Sequence, residues 1–147
     1  MTSSPSAAGP RWPLIIALGV FALIRPGVRI VALHLDVGLP ALTPLALTAL
    51  VTAVWVAAVG LTDTPQPVLT LVTTGLVYMA VSLLLSAILS PVLDGELAGP
   101  LAEPEAIAPF MLVNLVWGLA AGLLALAVQR LRRGSEQRHD QQLHCAQ

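Results

Sequence analysis

Three long apolar runs constrain this chain more than any other feature of its 147 residues. They extend over about 41–61, 68–93 and 107–131, and their central parts carry no charged residue. A helix needs about 20 consecutive apolar residues to cross the hydrocarbon core of a bilayer, and each run meets that length. Only 10% of all residues are charged, against about one quarter in a typical soluble domain. The sequence therefore predicts helices surrounded by lipid.

A fourth apolar stretch lies near the N-terminus and is interrupted by Arg25 and Arg29. The apolar residues before Arg25 rise only about 20 Å as a helix, which is too short for a hydrocarbon core of about 30 Å. A cleaved signal peptide is one interpretation, but the sequence RPGVR stands where a small-residue cleavage site belongs. We therefore predict a spanning helix over about 13–33, kinked near Pro26 and Gly27.

The four stretches together predict an all-α fold, a membrane-embedded four-helix bundle over residues 12–131. The polar ends, 1–11 and 132–147, are predicted to be disordered and cytoplasmic. The second of these ends begins in an arginine-rich flank, QRLRRG, which the positive-inside rule places in the cytoplasm. An even number of crossings then places the N-terminus on the same side. We expect a multi-pass protein of the inner cell membrane.

The two halves of the chain share short passages that suggest a duplicated helical hairpin. ALIRP at 22–26 is similar to AILSP at 87–91, and VTAVWVAAVGL at 51–61 is similar to VNLVWGLAAGL at 113–123. The second pair aligns Trp55 with Trp117, and the chain has only three tryptophans. Shared hydrophobic composition is the alternative explanation.

The third predicted span carries a row of polar side chains at four-residue spacing. Its members are Thr70, Thr74, Tyr78, Ser82, Ser86 and Ser90. Residues i and i+4 lie on one face of a helix, and small or hydroxylated faces pack helices together in lipid. The fourth span offers a matching row in Asn114, Gly118 and Gly122. These rows are interpreted first as a packing interface between the two spans. The alternatives are a polar path or small-molecule site lined by Tyr78, Ser82, Ser86 and Asn114, and a subunit contact.

Arg25 and Arg29 are the strongest functional candidates, because an ionisable group within a span marks a functional site by default. They fall in the outer half of the first span, which is followed by His34. The loop over 94–106 has four acidic residues and no basic one. One interpretation is an interfacial anchor that pairs with this loop, and the other is contact with an anion or a lipid headgroup. His34 is a candidate pH-sensing group or a headgroup contact.

No motif for a cofactor, a metal or a catalytic nucleophile is present in the sequence. The acidic loop lacks the ligand spacing of a calcium loop, and the C-terminal histidines lack zinc-site spacing. We therefore expect no enzyme activity, no cofactor and no metal. The net charge of −1 gives no reason to expect a nucleic-acid partner.

The four spans, the RP pair of the first span and the block LSPVLDGELAGPLAEP with NLVWG carry a resemblance. The chain resembles small uncharacterised four-helix integral membrane proteins of GC-rich bacteria, a likeness that implies no activity. The small multidrug exporters have the same number of spans but use an acidic residue within the first one. This chain has arginines there instead, so that function is not carried over.

The sequence is therefore compatible with two functions. The first is a non-enzymatic interaction or accessory subunit, whose partners are the lipid bilayer and another membrane protein. The second is a small homo-oligomeric transporter or channel for a small solute or anion. The scarcity of polar groups within the spans favours the first function.

Overall fold

The computed structural model describes residues 11–93, 95 and 100–145, without the side chains of 139–145. These residues are all-helical, in the order α1 (Trp12–Phe21), α2 (Ile24–His34), α3 (Thr43–Gly60), α4 (Pro67–Leu93), a 3₁₀ turn (Pro104–Ala106) and α5 (Ile107–Cys145). Four helical stretches in this part of the chain are long and apolar enough to cross a membrane, and α1 and α2 together form the first. The predicted four-helix bundle is confirmed, and α3 and α4 begin and end within two residues of the predicted limits.

The break in the first span lies at Ala22 and Leu23, between α1 and α2, and not at the predicted Pro26–Gly27 pair. Proline has no backbone N–H, and its ring crowds the carbonyl four residues earlier, which here belongs to Ala22. Arg25 N donates to that carbonyl oxygen instead, at 3.2 Å, and so tightens the turn. The proline therefore breaks the helix one turn before its own position.

The spans pack in the order α1, α4, α5, α3, and the α4–α5 pair is the most extensive contact. Gly118 and Gly122 allow it. A methyl group added at Gly118 would lie 2.7 Å from the Leu71 carbonyl oxygen, and one added at Gly122 would lie 2.7 Å from Val68 Cα. Such separations are below van der Waals contact, so only glycine permits the two backbones to approach this closely. By contrast, α2 contacts α3 only sparsely.

The face of α4 that meets α5 differs from the predicted hydroxyl row by one position. It is formed by Val68, Leu71 and Gly75, and a methyl group at Gly75 would lie 2.7 Å from the Asn114 carbonyl oxygen. The hydroxyls of Thr70 and Thr74 instead donate to the carbonyl oxygens four residues earlier, those of Gln66 and Thr70, at 3.1 and 2.8 Å. The hydroxyl row is thus rotated out of the closest α4–α5 contact.

The α3–α4 turn is held against α5 at what we call the arginine-rich end of the bundle. The buried Gln129 side chain donates from Nε2 to the carbonyl oxygens of Val59, Thr62 and Thr64, at 2.9, 2.9 and 3.2 Å. Arg132 donates to the Leu61 carbonyl oxygen. These contacts tie the second helical hairpin to the first.

The polar segment 132–147 was predicted to be disordered, and the structure differs. Helix α5 continues through Cys145, and residues 146–147 lie outside the described part, as do 1–10. Arg133 pairs with Asp63 at 3.7 Å, Arg132 approaches Glu136 at 4.0 Å, and Ser135 donates to the Leu131 carbonyl oxygen. The glutamines, glutamate and arginines of this segment are good helix formers, so the helix extends where hydropathy alone ends the span.

The internal duplication stays a prediction. A two-fold repeat would make the contact between the first span and α3 equivalent to that between α4 and α5, but the first is sparse and the second is the most extensive in the bundle. The two proline positions differ, since Pro26 follows a break whereas Pro91 lies within the continuous α4. The two tryptophans also differ in exposure, at 2% for Trp55 and 37% for Trp117.

Candidate functional site

A cavity of about 860 Å³ lies between α2, α3, α4 and α5, at the end of the bundle opposite the arginine-rich end. Its volume is within the range of pockets that enclose a small organic ligand, about 300–1,000 Å³. All the polar candidates from the sequence line it, namely Arg25, Arg29, His34, Tyr78, Ser82, Ser86 and Asn114. The fold therefore brings together residues from three helices that are up to 89 positions apart (114 − 25 = 89).

Helices α4 and α5 supply the neutral polar groups of the cavity. Asn114 is buried and donates from Nδ2 to the Phe110 carbonyl oxygen at 2.8 Å, while the hydroxyls of Ser86 and Ser90 lie 3.5 Å apart. The Ser82 hydroxyl is buried and has no hydrogen-bond partner among the described residues. A buried hydroxyl without a partner costs free energy, and a ligand that hydrogen-bonds to it removes that cost.

Arg25 and Arg29 stand one helical turn apart on α2, so their side chains share a face. Both are exposed, and both line a second cavity of about 370 Å³ between α2 and the start of α3. The described residues form no ion pair with either guanidinium, Glu103 and Glu105 included. The remaining acidic residues of the predicted pairing loop, Asp94 and Glu96, lie outside the described part.

His34 ends α2 at the cavity end of the bundle and is exposed. Its Nδ1 lies 2.9 Å from the Ile30 carbonyl oxygen. If this nitrogen donates the hydrogen bond, the proton is on Nδ1 and Nε2 is an acceptor toward its surroundings. His34 lies on α2 with the two arginines, and like them it lines the cavity.

Two tryptophans complete the cavity. In the sequence they stand out only because they align the two halves of the chain. Trp55 is buried on α3 and donates from Nε1 to the Leu18 carbonyl oxygen at 3.0 Å, just before the break in the first span. Trp117 on α5 is partly exposed. Tryptophan combines a large apolar ring with one N–H donor. With only three tryptophans in the chain, each was a candidate for a specific structural or binding position.

The chemistry of the cavity favours a negatively charged ligand. Its lining within the described chain contains two arginines and no carboxylate. A guanidinium offers five donors in a plane and binds carboxylate or phosphate oxygens in pairs. Across residues 11–93, 95 and 100–145, no group of three or more His, Cys, Asp and Glu side chains is placed to hold a metal ion.

Comparison with known proteins adds no constraint on function. No protein-family model matches the chain, and neither a curated protein nor a solved structure does.

Proposed function

We propose that the chain is an integral membrane protein that binds a small organic solute or anion in the cavity between its helices. The observation that carries this proposal is the convergence of polar side chains from α2, α3, α4 and α5, the seven candidates among them, on one partly open cavity. In lipid, polar groups that only packed helices together would face a neighbouring helix. Here Tyr78, Ser82, Ser86 and Ser90 of the α4 row line a cavity large enough for a ligand.

The proposal includes an orientation. The arginine-rich end, with Arg130, Arg132 and Arg133, is placed in the cytoplasm by the positive-inside rule. The cavity then opens in the outer half of an inner cell membrane, and both termini are cytoplasmic. An origin in a GC-rich bacterium, suggested by the sequence resemblance, agrees with this location.

Binding or transport, rather than catalysis, is the proposed role. The lining offers donors and hydroxyls but no carboxylate beside His34 to form an acid–base pair within the described residues. One chain supplies all the polar groups of this lining, so the site requires no second copy. Assembly into a homo-oligomer would serve a transport path and stays part of the proposal.

An accessory-subunit role is the second candidate, and the length of α5 favours it. This helix continues past its apolar part to Cys145 and gives the arginine-rich end a polar helical extension. Such an extension is suited to contact with another membrane protein. Deletion of 136–147 would then release a copurifying partner without affecting ligand binding in the cavity.

The binding proposal is tested by filling the cavity. We expect Ser86→Trp to fold, because the cavity volume exceeds that of an indole ring, and to exclude any bound molecule. Ser135→Trp, on the exposed part of α5, is the matched control. Native mass spectrometry of protein released from membranes should detect a small-molecule adduct on the control and the unmodified chain, and none on Ser86→Trp. Equal adducts on all three proteins would contradict a ligand in this cavity.

A further inference from the structure

We propose that the ligand of this cavity is a single-chain anionic amphiphile, with its acidic head on Arg25 and Arg29 and its chain between Trp55 and Trp117. This inference rests on the proposed binding function and specifies the chemical class of its ligand.

The head of the ligand must be an anion. Arg25 and Arg29 place two guanidiniums at one edge of the cavity, and no described carboxylate forms an ion pair with them. A guanidinium within a membrane span is costly, and a bound carboxylate or phosphate offsets that cost. A zwitterionic head would add a cation for which the described lining has no acidic partner.

The apolar part of the ligand follows from the rest of the lining. The apolar side chains of Val51, Trp55, Leu83, Leu89 and Trp117 line the cavity beside the hydroxyls of Tyr78, Ser82 and Ser86. A free inorganic anion would contact the arginines only and would leave this apolar surface facing water. An alkyl chain covers it, and burial of each methylene stabilises the complex.

The membrane is the source of such a ligand. Arg25 and Arg29 line both the main cavity and the second cavity, which lies between α2 and the start of α3. The contact between these two helices is sparse, so this side of the bundle is loosely packed. An amphiphile in the surrounding leaflet can therefore reach the arginines with its head while its chain stays in an apolar environment.

Fluorescence of Trp55 tests the inference, because this side chain lines the cavity and is shielded from the surrounding lipid, at 2% exposed. The full-length protein with Trp12→Phe and Trp117→Phe has Trp55 as its single tryptophan. It is titrated in neutral detergent with an alkyl phosphate brominated near the end of its chain. An alkyl phosphocholine with the same brominated chain is the matched probe, and inorganic phosphate is the competitor.

We expect the alkyl phosphate to quench Trp55 at concentrations about tenfold or more below those of the phosphocholine. Arg25→Gln and Arg29→Gln should each raise the half-quenching concentration of the phosphate by about tenfold, as expected when a charge-assisted hydrogen bond is lost. Arg130→Gln, an exposed arginine outside the cavity lining, should leave it unchanged.

The outcomes separate the two proposals. Equal quenching by both probes, or arginine variants without effect, would overturn the anionic ligand and leave a ligand cavity in place. Displacement by inorganic phosphate at concentrations as low as those of the alkyl phosphate would identify a soluble anion and overturn the amphiphile. If neither probe quenches Trp55, no amphiphile enters the cavity and the amphiphile is overturned, while the adducts on the unmodified chain and on Ser86→Trp still decide whether the cavity binds a small molecule.

Discussion

Replacing Gly118 and Gly122 by alanine is expected to destabilise the bundle strongly. A Cβ at Gly118 would lie 2.7 Å from the Leu71 carbonyl oxygen and 2.9 Å from Val72 Cα, and one at Gly122 would lie 2.7 Å from Val68 Cα. These neighbours are backbone atoms of α4, so relief requires the two helices to separate. Overpacking of this kind costs about 1–3 kcal/mol for each site, and the double variant should lose several kcal/mol. Thermal unfolding in detergent measures the loss.

Gly134 is the matched control, since it lies in the same helix and a Cβ there meets no atom within 4 Å. Alanine is the better helix former by up to about 1 kcal/mol, so Gly134→Ala should stabilise the protein slightly. The same substitution thus has opposite signs at positions 118 and 134. Equal melting temperatures for the two single variants would contradict the close α4–α5 contact.

Gln129→Leu is expected to have the second largest effect. The side chain is 5% exposed, and its amide donates to the carbonyl oxygens of Val59, Thr62 and Thr64. Leucine is similar in size to glutamine but has no N–H donor. The three carbonyl oxygens at and after the end of α3 therefore lose their hydrogen bonds to the side chain. A buried group without its partner costs about 1–3 kcal/mol, so we expect a loss of about 3 kcal/mol for the set.

Gln137→Leu is the control for this experiment, because Gln137 lies further along α5 and is exposed. Its melting temperature should stay within the error of the unmodified protein. Gln129→Leu should in addition increase proteolysis in the turn over 61–66, where the hairpins are joined. An unchanged melting temperature for Gln129→Leu would show that the turn does not depend on α5.

The spans could be predicted closely, because length and hydropathy alone decide which segments cross a bilayer. Helix α3 begins at Thr43, two residues after the predicted start, and α4 begins at Pro67, one residue before it. Hydropathy did not predict the helix beyond Leu131, because it identifies helices that face lipid. The polar part of α5, which continues to Cys145, has no such signal. The kink was predicted at the proline itself. The proline ring crowds the carbonyl four residues earlier, so the helix breaks there.

The site could be predicted only as a set of residues. An arginine pair inside an apolar stretch and a row of hydroxyls are visible in the sequence, and the arginines and the part of the row from Tyr78 to Ser90 line one cavity. The rotation of α4 cannot be read from the sequence. Thr74 and Gly75 are neighbours, and only the packing of the helices decides which of the two residues contacts α5. Gln129 was missed because a glutamine at the end of a span is typical of the interface, and its acceptors lie 65 to 70 residues away.

Cysteine labelling from the two faces of the membrane tests the central claim most directly. In a Cys145→Ser background, Pro65→Cys probes the arginine-rich end and Glu105→Cys probes the cavity end, and both positions are exposed. A membrane-impermeant maleimide should modify Cys at position 105 in intact cells, and at position 65 only after the membrane is permeabilised. Modification of both positions from the same face would contradict four spanning helices with an arginine-lined cavity in the outer half of the bilayer.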